Sequence, residues 1–341
     1  MSGAAVAYHL RPNKHVERHL FVDLLDHVDR WNPISSYLYV GFGGVYFEDF
    51  KLLHAHFGVD KMLSIENQRW VFERQKFNVP YGCIHPKNLD SSDFIRDVER
   101  FRIRYKVANI LCWLDYATSA ELAGQLNEIK SVLPNLAAND VLKVTLPANP
   151  SVLGVKREGM PDADLFDKRL EILRNRLLGT QFLPDGLTAN RMTERHYPEV
   201  LCETFRRAAA EAMRESPNLV FQPLGSYVYK DTTQIVTFTG IVLEADKVDE
   251  FLEKTSLKKF DLGGPAWELI KIEVPELSLR EKLKLDQVIF KQTSTPKKHR
   301  PVEVQIKMGL KFAPEVVDSR RMIENYIRFY RYYPSFHRVT F

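Results

Sequence analysis

The sequence predicts a doubly wound α/β domain with a mostly parallel sheet, an insertion and a small C-terminal α+β module. Short β-prone runs alternate with helical stretches five times between Tyr37 and Leu146, an order typical of open α/β sheets. The run at 108–115 is almost continuously apolar, as expected of a strand covered on both faces. A glycine-rich turn directly follows the first predicted strand.

The elements are predicted in chain order from apolar periodicity and turn residues. Apolar residues recur at helical spacing from His15 until Asn32-Pro33 ends this first helix. The predicted strands of the sheet are 37–40, 61–65, 81–84, 108–115 and 140–146, and the helices between them are 47–56, 68–76, 91–104 and 119–133.

The chain after the fifth strand departs from this alternation. Residues 147–190 are rich in Pro, Gly and charge, with one predicted helix at 164–178, and we interpret them as an insertion. A helix at 199–215 then precedes three β-prone runs, 219–222, 226–229 and 234–243, and the last two predict a hairpin across 230–233.

These patterns predict the domain organisation. We expect an N-terminal arm and helix over 1–32, the α/β domain over 33–243 with its insertion at about 147–190, and a basic C-terminal module over 244–341. The segment Thr293–Lys298 is the best linker candidate.

Composition excludes several classes of protein. No apolar run approaches the ~20 residues that cross a bilayer, and the N-terminus lacks a secretion signal, so we expect a cytoplasmic protein with no membrane partner. The three cysteines, Cys83, Cys112 and Cys202, are far apart and outside any C-x-x-C pair, which argues against zinc or redox chemistry.

Charge is distributed unevenly. The net charge is +4, yet residues 281–341 hold 13 Lys/Arg against 6 Asp/Glu and contribute +7, so the rest of the chain sums to −3. A basic C-terminal segment of this kind can bind nucleic acid or an acidic protein, or it can simply face solvent. All three interpretations remain open from the sequence.

The glycine turn is the first candidate binding element. Gly41, Gly43 and Gly44 lie between a predicted strand and a helix, where an absent Cβ lets backbone approach a bound nucleotide. A tight strand-to-helix turn would also explain them. Glu66 ends the next strand, 23 residues after Gly43, where a carboxylate can accept hydrogen bonds from both ribose hydroxyls; alternatively it only solubilises the surface.

On these residues the chain resembles the class I S-adenosylmethionine-dependent methyltransferases over roughly Tyr37 to Leu243. The segment Tyr39-Val40-Gly41-Phe42-Gly43-Gly44 stands in place of that family's glycine-rich motif. Tyr39 occupies the position two before the first glycine where the family commonly has an acid, and Val45 stands where a third glycine is expected.

The resemblance implies a Rossmann-like methyltransferase fold, S-adenosylmethionine as cofactor and several site residues. Glu66 would hold the ribose, Asn88 or Asp90 would approach the adenine amino group, and Trp113 to Tyr116 would border the methyl donor. Asn88 and Asp90 have a second interpretation, because Asp90-Ser91-Ser92-Asp93 is also a good helix N-cap sequence.

A nicotinamide dehydrogenase would use a similar turn and ribose acid. Its third glycine, in G-x-G-x-x-G, falls here on Tyr46, which disfavours that class. More narrowly, His9 to Lys14, Trp113 to Tyr116 and Phe329 to Pro334 resemble a bacterial family described as "putative O-methyltransferase". Members are thought to occur beside phage-defence genes, which implies antiviral defence in a multi-protein system.

The acceptor side is less informative. Asp115 ends the central strand, where ligands bind in open α/β sheets, so it is the candidate general base, and Tyr116 could orient a substrate. A structural or solvated Asp115 is equally compatible. The segment lacks the N-P-P-Y-like motif of base N-methylation, and no Cys/His cluster predicts a metal, although scattered carboxylates could bind magnesium.

Two further groups remain candidates. Arg11, Asn13 and Lys14 precede the first helix and could bind substrate or an anion there, or form a polar arm. Near the C-terminus, aromatic and Arg residues interleave in a way that could stack bases and pair phosphates, or pack a terminal helix: Tyr326, Arg328, Phe329, Tyr330, Arg331, Tyr332, Tyr333, Phe336 and Arg338.

Two functions from different classes follow. The first is an S-adenosylmethionine-dependent methyltransferase whose acceptor the sequence does not identify; the narrower resemblance implies transfer to oxygen. The second is a non-catalytic methyltransferase-like module that binds nucleotide or nucleic acid in a multi-protein defence assembly.

Overall fold

The structure is a computed structural model that describes residues 11–116, 118, 121–177, 181–290 and 301–334. Its centre is an eight-stranded mixed sheet with helices on both faces. The strands are β1 (Leu38–Gly41), β2 (Lys61–Glu66), β3 (Ile84–Asn88), β4 (Ile110–Asp115), β5 (Val141–Pro147), β6 (Leu219–Lys230), β7 (Gln234–Glu244) and β8 (Leu269–Ile272).

The strand order is β3-β2-β1-β4-β5-β7-β6-β8. Strands β1 to β5 are parallel, β7 runs antiparallel to β5 and β6, and β8 lies parallel to β6 at the edge. This arrangement confirms the predicted doubly wound α/β fold. The chain order reverses between β1 and β4, which is where open α/β sheets form their ligand crevice.

The described helices flank this sheet. They are α1 (Pro12–Asp29), α2 (Glu48–Phe57), α3 (Arg69–Asn78), α4 (Ser91–Arg96), α5 (Val98–Tyr105), α6 (Leu122–Val132), α7 (Asp162–Arg176), α8 (Tyr197–Ala212), α9 (Val248–Thr255), α10 (Leu279–Phe290), α11 (Pro301–Met308) and α12 (Val316–Phe329). Among the described residues, no helix is both long enough and apolar enough to span a bilayer.

Alternation along the strands divides the core into two layers. In β1, Leu38 and Val40 join a buried cluster with α4, α5, α6 and α8. Tyr39, on the opposite face, joins a second cluster with α1 and α2. Successive side chains of a strand point to opposite faces, so one short strand contributes to both layers.

Strand β3 lies later than predicted, at Ile84–Asn88 in place of 81–84. Its sequence contains Pro86, which removes one backbone donor and obscures the strand pattern. The sheet accepts Pro86 because β3 is an edge strand that pairs only with β2.

The predicted helix 91–104 is two helices, α4 and α5, separated at Asp97. Asp97 leaves helical geometry with φ −108° and ψ 19°, and its N–H bonds back to the carbonyls of Asp93 and Phe94. Asp is among the weaker helix formers, so a turn here costs little.

The two short runs predicted at 219–222 and 226–229 form one strand, β6, with an irregularity between Pro223 and Gly225. Only 226–229 pair with β8, so Pro223 lies on an unpaired edge where its missing N–H is tolerated. The expected hairpin between β6 and β7 is present across residues 231–233.

The sheet continues past residue 244, where we had placed the start of the C-terminal module, because β8 pairs with β6. Helices α10, α11 and α12 then form a small core of their own, with Leu285, Ile289, Val304, Met308, Ile323 and Tyr326 buried. We therefore propose that the separate module begins near Leu277. The predicted linker Thr293–Lys298 lies outside the described residues.

Candidate functional site

A cavity of about 680 Å³ opens at the carboxyl ends of β1, β2 and β4, beside the point where the strand order reverses. The fold brings seven of the predicted site residues to its wall. They are Gly43, Gly44, Glu66, Asp90, Trp113, Asp115 and Tyr116.

The glycine turn forms one wall, and its conformation requires glycine. Gly43 and Gly44 have φ values of 60° and 56°, in the left-handed region that glycine adopts without steric cost. A Cβ on Gly43 would also collide with the hydroxyl of Ser64 on β2. Both backbone strain and close packing therefore exclude a larger residue at position 43.

Gly41 does not line the cavity, but it makes room for a polar pair beside it. A Cβ at this position would lie 2.8 Å from the Tyr39 hydroxyl and 3.4 Å from Asp49 Oδ2. The Tyr39 hydroxyl donates a hydrogen bond to that carboxylate. The first glycine thus serves the packing of Tyr39 against Asp49.

Asp49 brings an acid to the wall where strand β1 lacks one. It lies in the first turn of α2 and lines the cavity. Burial raises its pKa, while the Tyr39 hydroxyl and nearby Arg18 oppose the rise. The cavity wall beside Tyr39 thus carries a carboxyl group from the following helix.

Glu66 lies at the end of β2 with its carboxylate oriented by backbone. Its Oε1 accepts a hydrogen bond of 2.8 Å from the N–H of Gln68, and partial burial raises its pKa. Asn88, in contrast, is outside the cavity wall, and its amide donates to the carbonyls of Glu66 and Asn67 at 2.6 and 3.2 Å. Asn88 thus joins the ends of β2 and β3.

Asp90 lines the cavity and also caps α4. Its Oδ1 accepts hydrogen bonds from the N–H and hydroxyl of Ser92, and its Oδ2 accepts one from Asn67. Burial alone would raise the pKa of Asp90, but these hydrogen bonds lower it. The capping interpretation of Asp90 is therefore realised in the structure.

Asp115 is paired with a lysine from the first helix. Lys14 Nζ lies 3.0 Å from Asp115 Oδ2, with 4% of the lysine side chain and 31% of the aspartate side chain exposed. Burial would raise the pKa of Asp115, but Lys14, Arg18 and Lys143 together lower it. A carboxylate with a lowered pKa is a weak proton acceptor.

Tyr116 is held by a carboxylate of α6. Its hydroxyl donates to Glu128 Oε2 at 2.6 Å, and the hydroxyl of Ser91 donates to the same oxygen at 2.8 Å. Burial raises the pKa of Tyr116 well above its usual value, and the charge of Glu128 adds to this effect. Tyr116 therefore remains protonated at neutral pH.

A second ion pair lies beneath Trp113. Trp113 Nε1 donates to Thr145 at 2.9 Å, and Lys143 Nζ lies 3.9 Å from the centre of the indole ring. Lys143 pairs with Glu17 of α1, and both side chains are 0% exposed. Burial lowers the pKa of Lys143 to about 8, although Glu17 opposes this.

The start of α1 is bound to the β6–β7 hairpin. The N–H groups of Asn13 and Lys14 donate to the carboxylate of Asp231 at 3.1 and 3.0 Å. The side chain of Asn13 also bonds Asp231 and Val274. The anion at this helix terminus is thus the protein's own Asp231. Asn13 and Lys14 lie within α1 and do not precede it as expected, and none of Arg11, Asn13 and Lys14 lines the cavity.

Sequence reasoning missed several polar cavity residues, among them Arg18, Glu48, Asp49, Glu121, Gln125 and Glu128. Their signals are weak, since each is a polar residue within a predicted helix. Among the described residues, no group of three His, Cys, Asp or Glu side chains could hold a metal ion.

The C-terminal aromatic residues pack inward. Tyr326 and Phe329 are buried, the Tyr332 hydroxyl donates to Asp23, and the Tyr333 hydroxyl donates to the carbonyl of Pro275. These rings are therefore largely occupied within the fold. Phe336 and Arg338 lie outside the described residues.

Comparisons with known proteins identify a sequence family. Residues 6–341 match the family described as "Putative O-methyltransferase". No curated protein matches the chain.

The chain is also similar, at low identity, to solved structures of other proteins. The N-methyltransferase NodS from Bradyrhizobium japonicum is 11% identical, with 67% of this chain and 97% of that chain covered and a TM-score of 0.36. A SAM-dependent methyltransferase from Anabaena variabilis is 12% identical, with 69% and 87% covered and a TM-score of 0.39. Trm1 from Pyrococcus horikoshii, solved with S-adenosyl-L-methionine, is 12% identical, with 88% and 82% covered and a TM-score of 0.40.

Proposed function

Because the chain belongs to the family described as "Putative O-methyltransferase", we propose that it transfers the methyl group of S-adenosylmethionine to a hydroxyl oxygen of an acceptor. The observation that carries the proposal is the cavity at the ends of β1, β2 and β4, where Gly43 and Glu66 face the same space. S-adenosylmethionine supplies an electrophilic methyl group on a sulfonium, and the protein's task is to bind and orient it beside the acceptor.

The cavity contains groups that complement each part of this cofactor. Glu66, held by Gln68, is suited to accept hydrogen bonds from the ribose hydroxyls. Arg18 lines the same cavity and is 9% exposed, so its guanidinium suits the methionine carboxylate. Asp49 suits the methionine ammonium group, in the role that the Tyr39 position cannot fill.

Asp90 and Trp113 have supporting roles in this proposal. Asp90 keeps the end of β3 and the start of α4 in place through its capping bonds, beside the expected adenine. Trp113 contributes a flat apolar surface to the wall. Asn88 has an indirect role, because its amide holds the backbone that carries Glu66 in place.

We assign Asp115 and Tyr116 positioning roles at the methyl donor. The ion pair with Lys14 favours the charged form of Asp115, and a permanently charged carboxylate stabilises a nearby sulfonium better than it removes a proton. Tyr116 is oriented by Glu128. This differs from the general-base role expected of Asp115 from its strand position.

The test is calorimetric titration of the wild type and Glu66→Ala with S-adenosylhomocysteine, S-adenosylmethionine and NAD. We expect binding of the first two and loss of about 1.5–3 kcal/mol in Glu66→Ala, the range for hydrogen bonds to a charged group. Glu158→Ala, which changes an exposed carboxylate away from the cavity, is the matched control and should bind like the wild type. Binding of NAD alone, or of none of the three, would refute the proposal.

We do not propose the nucleic-acid module as a second function. It would need aromatic rings exposed for base stacking, whereas Tyr326 and Phe329 are buried. The defence role implied by the family resemblance stays a prediction.

A further inference from the structure

The cavity has a strong excess of negative charge. Seven carboxylate side chains line it, from Glu48, Asp49, Glu66, Asp90, Asp115, Glu121 and Glu128. Among the described residues of the wall, Arg18 is the one Lys or Arg side chain. Lys14 does not line the cavity but pairs with Asp115. Such a lining attracts cations and repels anions.

Hydrogen-bonding groups at the wall have the same bias. The hydroxyls of Tyr116 and Ser91 are already donated to Glu128, and the indole N–H of Trp113 is donated to Thr145. The wall therefore offers mainly acceptors. A ligand that supplies donors is the complementary partner.

Gln125 gives independent evidence for a donor ligand. It lines the cavity and is 4% exposed. Its Nε2 donates to the carbonyl of Thr118, yet no described residue donates to its Oε1. A buried acceptor without a partner is costly, and a hydroxyl or amine bound beside Gln125 would satisfy it once the side chain turns Oε1 toward the cavity.

This inference rests on the proposed function and concerns the cavity side chains that the cofactor does not engage. S-adenosylmethionine carries one carboxylate and two cationic groups, so Arg18 with Asp49 and Asp115 suffices for its charged groups, and Glu66 suffices for its ribose. Glu48 is paired with Lys51, but Glu121 and Glu128 then remain without a Lys or Arg partner among the described residues. An acceptor bearing phosphate or carboxylate would face these acids with no cation to offset them.

Size restricts the acceptor further. A cavity of about 680 Å³ lies within the range of roughly 300–1,000 Å³ that is usual for small-molecule sites. The chain's basic surplus is at 281–341, and its described part forms the separate helical module of α10 to α12. The positive charge that a nucleic-acid substrate would need is thus not at the reacting site.

We propose that the methyl acceptor is a small molecule with an ammonium group close to its accepting hydroxyl, of the amino alcohol or amino sugar class. The carboxylates bind the ammonium group, and the hydroxyl oxygen attacks the methyl carbon. The carbon–sulfur bond breaks with its electron pair on sulfur, and the hydroxyl proton passes to a cavity carboxylate. The products are the methyl ether and S-adenosylhomocysteine.

Three sugars of similar size and different charge test this proposal. Glucosamine, glucose and glucose 6-phosphate are titrated into protein saturated with S-adenosylhomocysteine, by ligand-observed NMR, slightly below neutral pH where the amine is protonated. We expect glucosamine to bind about tenfold more tightly than glucose 6-phosphate, with glucose between them. Equal affinities, tighter binding of the phosphate or binding of none would overturn the proposal.

Variants localise the effect. Glu121→Gln should weaken glucosamine binding about two- to fivefold, as expected for one partly exposed charge contact, whereas Glu158→Gln, a carboxylate outside the cavity, should not change it. Equal loss in both variants would overturn the assignment to the cavity. Failure to bind S-adenosylhomocysteine would refute the proposed function itself, whereas normal cofactor binding with the wrong sugar order refutes only the acceptor class.

Discussion

Helix α1 makes two ion pairs with the sheet, less than one helical turn apart, and their surroundings differ. Lys14 pairs with Asp115 at the wall of the cavity, where 31% of the carboxylate side chain is exposed. Glu17 pairs with Lys143 in the interior, where neither side chain is exposed. The same helix therefore presents a cation to β4 and an anion to β5.

The surroundings decide what each pair can contribute. At the cavity wall, water or a ligand can supply the remaining polar contacts of Asp115. In the interior the protein itself must supply the contacts of the ion pair. Thr237 donates to Glu17 at 3.0 Å, and the ring of Phe21 lies 4.1 Å from Lys143 Nζ. The outer pair is thus suited to respond to ligands, whereas the inner pair fixes α1 on the sheet.

The largest expected effect is in the inner pair. Lys143→Met leaves Glu17 charged and buried without its cation, so we expect the free energy of unfolding to fall by about 3–5 kcal/mol. Urea denaturation measures it. Lys130→Met, which removes the partly exposed Lys130–Glu211 pair, should cost at most about 1 kcal/mol.

A double variant separates charge from packing at the same place. Glu17→Met combined with Lys143→Met removes both charges, and exchange of a buried pair for apolar residues is often close to neutral. It should therefore recover much of the stability lost in Lys143→Met. A small loss in the single variant would mean that the two ion pairs of α1 do not differ in kind.

The outer pair should respond less in stability and more in binding. Lys14→Met removes a charged hydrogen bond, but Asp115 keeps access to the cavity, so we expect a loss of about 1.5–3 kcal/mol in unfolding free energy. The pKa of Asp115 should also rise, because its main opposing charge is gone.

Denaturation measures the loss of stability in Lys14→Met, and S-adenosylhomocysteine titration of the same samples measures the change in ligand binding. Lys51→Met, which removes a surface pair with Glu48, controls for loss of a lysine near the cavity. A stability loss as large as that of Lys143→Met would contradict the distinction between the two pairs.

The smallest expected effect is a pH dependence of the inner pair. Burial lowers the pKa of Lys143 from 10.5 to about 8, so between these values the unfolded chain binds more protons than the folded protein. The contribution of Lys143 to unfolding free energy therefore rises with pH across this window, by at most about 1.4 kcal/mol per pH unit.

The readout is the difference in unfolding free energy between the wild type and Lys143→Met at about pH 7.5 and about pH 9.5. This difference should shift in favour of the wild type at the higher pH. Asp115 adds no slope here, since its pKa is lowered and its contribution is lost only on acidification. A constant difference would show that Lys143 keeps its proton throughout.

The sequence predicts best what is encoded locally. The five strand–helix alternations, the glycine turn and the strand-ending Glu66 are carried by neighbouring residues, and parallel strands bring their carboxyl ends to one edge. That is why Gly43, Gly44, Glu66 and Asp115 meet at one cavity, although each was identified separately.

Contacts between distant segments could not be predicted. Lys14 bonds Asp115 across 101 residues, and Asn13 bonds Asp231 across 218. Arg18 and Asp49 reach the cavity only because α1 and α2 pack on the same face of the sheet. Strand β8 is four residues long and follows a loop, so no local periodicity identifies it.

The contacts of α1 have a consequence for the order of folding. Its first turn is bonded to Asp231 and to the backbone of Val274, so its docking closes very long loops, a slow step in folding. During synthesis, where N-terminal parts generally fold first, α1 must wait for residue 274 before it can be fixed. Until residue 274 is made, the contacts that hold Lys14 beside Asp115 and Arg18 at the cavity are incomplete, so the cavity wall is unfinished in a shorter chain.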